Sequence, residues 1–486
     1  MSNANVTYLS RNRDGTVPGG YRELMRVAWP LILSTASFTV MHFFDRVMLT
    51  RYSEVTAAAA TCGGVLAFAL LSFFLGIAGY ANTFVAQYYG AGDRHMCMRC
   101  VWQGVYFAVA AGVFYPLVMG PLGVALLRWV AHPPAVLAAE EAYFTVLALG
   151  AAFPLLGGAF SSFFTGRGDT WTVMWVNVLT ALVNVVLNYG LIFGRLGMPE
   201  LGIRGAAVAT LSATALGVLV FVWLMGRPVL RRRYGTFTYT AFRWPTFRRL
   251  IRFGGPSGLS FGLDICAFSM FTLLIGRIGT VELIASNITL AINSLSFLPM
   301  LGISMAVTIV VGQHIGQERK WAAERAAYTG AKLAAGYMFF MGMLFVLFPS
   351  VFLWIFQGEG IDPEMFQAVA RYTRRMLVLV AILGVADAAN MTFNGALKGA
   401  GDTLFSMWAN VVIAWVVFIP PVYLCTVVLH THVLWPWSWF VLYVVLLGAV
   451  YWWRFALGRW KEIDIREPVP VAPPVETTGE ARVVES

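Results

Sequence analysis

Charge is what this chain has least of. Only 12% of its 486 residues are Asp, Glu, Lys or Arg, while 59% are hydrophobic; soluble domains carry about twice that charged share. A water-soluble globular fold is excluded, because the chain could not clothe an aqueous surface. Histidine and cysteine are scarce too, at six and five. HExxH and clustered His or Cys ligands are missing from the sequence, so no zinc chemistry and no resident cofactor is expected. Cys62, Cys97, Cys100, Cys266 and Cys425 lie in apolar runs or a short connection, and the one CxxC, Cys97 to Cys100, has no second pair. Ordinary reduced thiols are expected. GxxxxGK[ST] is also lacking: TGRGDT and KGAGDT sit between apolar runs rather than after a strand, which removes ATP as the energy source. No nucleophile cluster suggests an enzyme. The net charge of +10 does not imply nucleic acid, since the basic residues fall in connections and are not interleaved with aromatics on a solvated face.

What the chain has is a succession of long apolar runs, near 24–50, 55–88, 98–124, 135–164, 170–193 and 202–225, then 247–275, 282–312, 322–349, 364–397, 403–428 and 435–457. About 20 apolar residues suffice to cross a bilayer as a helix. The expected fold is an all-α polytopic membrane protein with twelve transmembrane helices in two pseudo-symmetric six-helix lobes. Its parts are an N-terminal tail (1–22) ending in a helix at the interface, an N-lobe (23–226), a basic linker (227–246), a C-lobe (247–460) and a disordered tail rich in Pro, Val and Glu (461–486). Arg227, Arg231, Arg232, Arg233, Arg243, Arg248, Arg249 and Arg252 surround the central connection, which reads as cytoplasmic by the positive-inside bias and puts both ends of the chain there. Trp435, Trp437 and Trp439 are expected in an outer interfacial belt, and Trp452, Trp453 and Trp460 in the inner one.

The two lobes repeat. Arg26, Pro30, Leu33, Ser34 and Arg51 align without gaps on Arg252, Pro256, Leu259, Ser260 and Arg277, followed by Gln87, Gly90 and Arg99 on Gln313, Gly316 and Arg325. Farther on, Gly166, Gly168, Asp169, Thr170 and Asn177 meet Gly399, Gly401, Asp402, Thr403 and Asn410. An even number of spans per repeat makes the lobes parallel copies about an axis along the membrane normal, with sites near the midplane and access alternated by rocking. Prolines and glycines persist in the repeat, but the ionisable groups do not. Asp387 falls opposite Pro154, Asp264 opposite Phe38, and Asp45 opposite Phe271.

These unrepeated carboxylates are the candidate site. Asp387 lies near the middle of an apolar stretch from Met376 to Thr403, and a charge there costs about 3 kcal/mol or more unless it faces a cavity or partner. Asn390 and Asn394 share its helical face. Asp264 stands two turns beyond Pro256, too deep for helix-end donors. If Asp264 and Asp387 approach within about 6 Å they cannot both stay ionised cheaply, and they titrate as a pair. A bound cation and a proton then compete, which is the basis of antiport. In the N-lobe, Asn177, Thr180, Asn184 and Asn188 form a polar stripe, and with Asp45 the amide oxygens offer hard ligands for Na+ or a place for a proton. His42 lies one turn before Asp45 and could pair with it; Arg46 is expected to snorkel outward. The alternative for each group is simple hydrogen bonding between packed helices.

Together, FFDRVML around Asp45, AQYYGAGD at 86–93, NVVLNYGLIFGRLGMPELGIRGAAVAT from Asn184 to Thr210, Asp264 after Pro256, and Asp387 ahead of GALKGAGDT resemble the MATE family of multidrug and toxic compound extrusion transporters, in its NorM-like branch. The resemblance spans roughly residues 22–460. It implies two six-helix bundles about a central cleft, export of organic cations against H+ or Na+, and coupling through Asp45, Asn184 and Asn188 in one lobe and Asp264 and Asp387 in the other. A lower-order expectation adds His42, Asn177, Asn390 and Asn394 to the substrate cavity. Arg46, where an uncharged residue is usual, and Asp264, where Glu is frequent, depart from the pattern. The expected setting is a monomer in a bacterial inner membrane, in contact with lipid and without nucleic acid. A lipid-linked precursor flippase and a passive channel are the rival readings.

Overall fold

The computed structural model describes residues 16–130, 132–356 and 363–467, and among these all regular structure is helical. Twelve spans follow in order: α1 Tyr21–Tyr52, α2 Glu54–Gly90, α3 Arg94–Val130, α4 as the bent pair Pro134–Leu149 and Ala152–Gly166, α5 Thr170–Phe193, α6 Ile203–Met225, α7 Trp244–Ile275, α8 Thr280–Gly316, α9 Lys320–Leu347, α10 Pro363–Ala400, α11 Thr403–Val428 and α12 Leu434–Ala456. The fourth span bends by 42° where the others pass as single spans. Its cause is Pro154, which has no N–H for the Gly150 carbonyl one turn back. The Phe153 N–H takes that carbonyl instead, at 3.0 Å. In α10 Asp387 stands at the equivalent place, and that helix runs unbroken.

The side of the bundle holding both ends of the described chain is called the base here, and the opposite side the top. At the base the lobes clasp each other through the repeat. Gln87 of α2 donates to the Gly399 carbonyl of the C-lobe at 3.0 Å, and its counterpart Gln313 of α8 donates to the Gly166 carbonyl of the N-lobe at 2.8 Å. Gly90 and Gly316 let the two helices cross at this point, since a Cβ on either would collide with the Gln313 or the Gln87 carbonyl. Higher up, Thr35 bonds the Leu298 carbonyl at 3.2 Å and Gly76 meets Gly258 backbone to backbone. Leu24, Val27, Ala28 and Leu31 of α1 are buried in the core of the opposite lobe. All of these residues lie in the base halves of their helices except Leu298, at the middle of α8.

Three terminal and interfacial features differ from expectation. Residues 16–20 form a turn rather than an interfacial helix, with the Gly19 N–H bonded to Glu23 at 2.7 Å, while residues 1–15 lie outside the described chain. The expected disorder from 461 onward does not begin there. A turn at Arg459–Glu462 leads into an extended strap in which Ile463 and Ile465 alternate with exposed Glu462 and Asp464. Ile465 is fully buried, Arg249 of α7 holds its carbonyl at 3.1 Å, and the Glu467 N–H donates to Tyr88 of α2 at 2.7 Å. The two isoleucines supply the apolar face that a Pro- and Glu-rich composition hides; residues 468–486 lie outside the described chain. Finally, Trp435, Trp452 and Trp453 are exposed as a belt requires, but Trp437 and Trp460 are buried, their indole N–H groups bonded to Ser286 and Phe455.

The linker carries a short helix, Pro228–Tyr234, and then lies along α3, where Trp102 and Gln103 donate to the Thr236 and Ala241 carbonyls at 2.8 and 3.2 Å.

Candidate functional site

Among the described residues three aspartates sit inside the spans, one in the N-lobe and two in the C-lobe. In the N-lobe, α1 places Asp45 against the polar stripe of α5. The Asn188 amide donates to Asp45 Oδ1 and also to Asn184 Oδ1, the latter at 3.0 Å; Asn184 in turn donates to Thr210 of α6 at 3.2 Å. Both asparagines are fully buried, whereas Asp45 keeps about 15% of its side chain exposed. His42 Nδ1 stands 3.8 Å from the other Asp45 oxygen, with most of its ring exposed, and Arg46 is exposed. The other two stripe members are not part of this chain of bonds: Thr180 donates to the Val176 carbonyl of its own helix at 2.9 Å, and Asn177 turns to another partner. It donates to Ser34 at 2.6 Å, nearer the base.

In the C-lobe, Asp264 of α7 accepts from Asn410 of α11 at 2.6 Å and from the Tyr443 hydroxyl of α12 at 3.1 Å. Asn410 also donates to Ser260 at 2.9 Å. Asp387 is buried on α10 and accepts from Asn390 one turn on, at 2.9 Å. The two carboxylates are close enough for their charges to interact, and Lys398, on the same face of α10, interacts with Asp264. Asn394 is held with its amide oxygen buried.

One property is common to both centres. The amide oxygens of Asn188 and Asn410, whose N–H groups point at the carboxylates, are buried and accept no hydrogen bond from the described residues, as is that of Asn394. Buried acceptors are nearly always satisfied. Beside a carboxylate, a free amide oxygen is a second hard ligand for a small cation, or an acceptor for the proton of a neutral acid.

The structure thus brings Asp45, Asn184, Asn188 and His42 together at one centre and Asp264, Asp387 and Asn390 at another, and sets Asn177 apart. It adds Thr210, Ser260, Asn410, Tyr443 and Lys398. Ser260 and Asn410 were visible as repeated positions, matching Ser34 and Asn177. Nothing in the sequence singles out Tyr443 among the 18 tyrosines.

Comparison with known proteins decides the family. The MatE family model matches residues 30–190 and 256–424, one match per lobe. The chain belongs to the MATE family of multidrug efflux transporters. Similar proteins include the probable multidrug resistance protein NorM of Bradyrhizobium diazoefficiens, 29% identical over 450 residues with 90% of each chain covered, and the multidrug resistance protein NorM of Burkholderia vietnamiensis, 27% identical over 436 residues with 89% of this chain and 90% of that one covered. Among solved structures, the outward-facing conformation of a multidrug resistance MATE family transporter superposes with a TM-score of 0.81 at 18% identity, covering 91% of this chain and 97% of that one. A transporter of the same superfamily from Pyrococcus furiosus gives 0.80 at the same identity and coverage. The expected two-lobe, all-helical membrane fold of this MATE chain stands on the match and on these superpositions together.

Proposed function

We propose that this MATE transporter exports amphipathic organic cations in exchange for H+ or Na+, by rocking its two lobes so that the clasp at the base closes and opens in turn. The observation that carries this reading is the pair of buried carboxylate centres, each facing an amide whose oxygen is left free. Asp264 and Asp387 form the centre where substrate cation and coupling ion compete. Two neighbouring carboxylates in a low dielectric hold one or two positive charges far more readily than none. An entering proton or Na+ therefore displaces a bound organic cation, and the reverse, as reciprocal linkage requires. Asp45 with Asn184 and Asn188 is the second coupling centre. When Asp45 is ionised, the Asn188 N–H faces it; when Asp45 is neutral, a half-turn of the amide offers the free oxygen to the acid proton. The network so reports the protonation state to α5 and α6.

The base is the cytoplasmic side in this reading, since the arginine-rich connection around α7 emerges there. With the base clasped, the cleft faces outward. The chain works as a monomer in a bacterial inner membrane, each centre being built within one chain.

The test is efflux of an ethidium-like dye from proteoliposomes under imposed pH and Na+ gradients, applied separately. One gradient drives efflux, and Asp264→Asn and Asp387→Asn abolish it. Wild-type rates in both variants would remove the C-lobe centre from the mechanism. Dye flux without ion counterflow would favour a passive channel. Movement of a pyrophosphate-linked lipid would favour a flippase, against which the acidic character of both centres speaks.

A further inference from the structure

The sequence shows no cluster of metal ligands, yet the fold assembles one at the top of the N-lobe. Cys62 of α2, His132 in the α3–α4 connection and Glu140 of α4 each present one donor atom, and the three lie within 4.8 Å of one another. His132 Nδ1 is 2.9 and 3.1 Å from the two Glu140 oxygens, and the Cys62 sulfur lies within 4.8 Å of the same carboxylate. Glu140 is fully buried, the His132 side chain is one-third exposed, and Cys62 is exposed. The three form a bowl with a buried carboxylate floor and a partly exposed imidazole–thiol rim.

We propose that Cys62, His132 and Glu140 bind a divalent transition-metal ion of the Zn2+ class. Three arguments support it. The donor set joins a soft sulfur, a borderline nitrogen and a hard oxygen, which suits Zn2+ and its neighbours and disfavours Na+, Mg2+ and Ca2+. Three protein ligands plus a water is a regular zinc arrangement, and bonds of about 2.0–2.3 Å place neighbouring ligands about 3.3–3.8 Å apart, within roughly 1 Å of the spacing found. The buried carboxylate, moreover, has no guanidinium or ammonium ion pair among the described residues. The nearby Arg128 is taken by Glu141, at 2.7 Å, and Glu140 is left facing an imidazole and a thiol. The frame is firm, because α2 and α4 touch through Gly63, which packs against the Glu140 backbone.

The position has a consequence for transport. Tyr143, one turn below Glu140 on α4, is close enough to Asp45 for their charges to interact. A divalent ion in the bowl sits above the N-lobe carboxylate centre, on the side facing the top.

The experiment is equilibrium dialysis of the full-length purified protein against Zn2+, with metal quantified per chain, and Co2+ substitution followed by absorption. The expected result is one Zn2+ per chain at micromolar concentration and a thiolate-to-Co2+ charge-transfer band. Cys62→Ser and His132→Ala each weaken binding at least about tenfold, and Cys62→Ser removes the band. Cys266→Ser, also an exposed thiol, changes neither. Glu140→Gln alters a buried group and can unfold the helix pair, so the two rim variants decide the outcome. Failure to bind Zn2+ in this range, or unchanged affinity in Cys62→Ser and His132→Ala, overturns the proposal.

Discussion

The two lobes carry the same small hydrogen bond and use it differently. Ser34 accepts from Asn177 in the N-lobe, and its repeat partner Ser260 accepts from Asn410 in the C-lobe. One turn along the helix, the N-lobe has Phe38 and the C-lobe has Asp264. Asn410 therefore has a second acceptor, and Tyr443 reaches across from α12 to the same oxygen. The pair that serves only packing in one lobe has become the floor of a charged centre in the other. In the N-lobe the carboxylate stands farther up α1, at Asp45, against a different pair of asparagines. The frame is shared by the two lobes and the charge is not, and the carboxylates stand at unequal depths.

That comparison can be broken most directly at the carboxylates. Asp264→Asn and Asp387→Asn are each expected to lower gradient-driven dye efflux at least about 100-fold, equivalent to about 2.7 kcal/mol. Asp45→Asn should fall as far. If the Asp45 variant retains the wild-type rate, coupling belongs to the C-lobe alone and the N-lobe centre is a structural network. The clasp comes next. Gly90→Val and Gly316→Val each force a side chain into a carbonyl of the other lobe, and overpacking of this kind costs about 1–3 kcal/mol. Both should widen the base, read as a longer spin-label distance between α2 and α8, with efflux reduced roughly 5- to 160-fold for that energy at 1.36 kcal/mol per decade. A response to only one of the two would show that the clasp is not symmetric in effect.

Smaller effects separate the serine–asparagine pairs. Asn410→Ala removes a donor from a carboxylate, worth about 1.5–3 kcal/mol, whereas Asn177→Ala removes a neutral bond worth about 0.5–1.5 kcal/mol. Thermal unfolding in detergent should therefore be lowered more by Asn410→Ala; equal shifts would mean that Asp264 gains nothing from Asn410. Least of all, Gln87→Leu and Gln313→Leu should each cost about 1 kcal/mol by leaving one glycine carbonyl unpaired. Their near-equality, measured in the same assay, is the test of the reciprocal clasp.

Much of the site is legible in the sequence, and the reason differs from residue to residue. Asp45, Asp264 and Asp387 stand out because a carboxylate in an apolar run is costly wherever the helix goes. Asn390 goes with Asp387 because both lie on one helix, where a separation of three residues fixes the face. Tyr443 and Thr210 are not legible, since each reaches the site from another helix and is ordinary in its own. Asn177 misleads for the opposite reason: it shares the stripe with Asn184 and Asn188, but two turns of helix carry it toward the base and to a different partner. The strap at 463–467 is hidden by its proline- and glutamate-rich surroundings, though the alternation of Ile463 and Ile465 marks it as one-sided.

By itself, then, the sequence determined the helices, the duplication and the three charged positions. Each is a property of a single span or of its repeat, set by apolar length and the cost of burying charge. The tertiary structure alone decided which amide faces which carboxylate and which amide oxygens remain free. It also decided that Gln87 and Gln313 each cross to the other lobe, and that Cys62, His132 and Glu140 meet. Those depend on how helices distant in the chain rotate and close against one another, which periodicity along one helix does not specify.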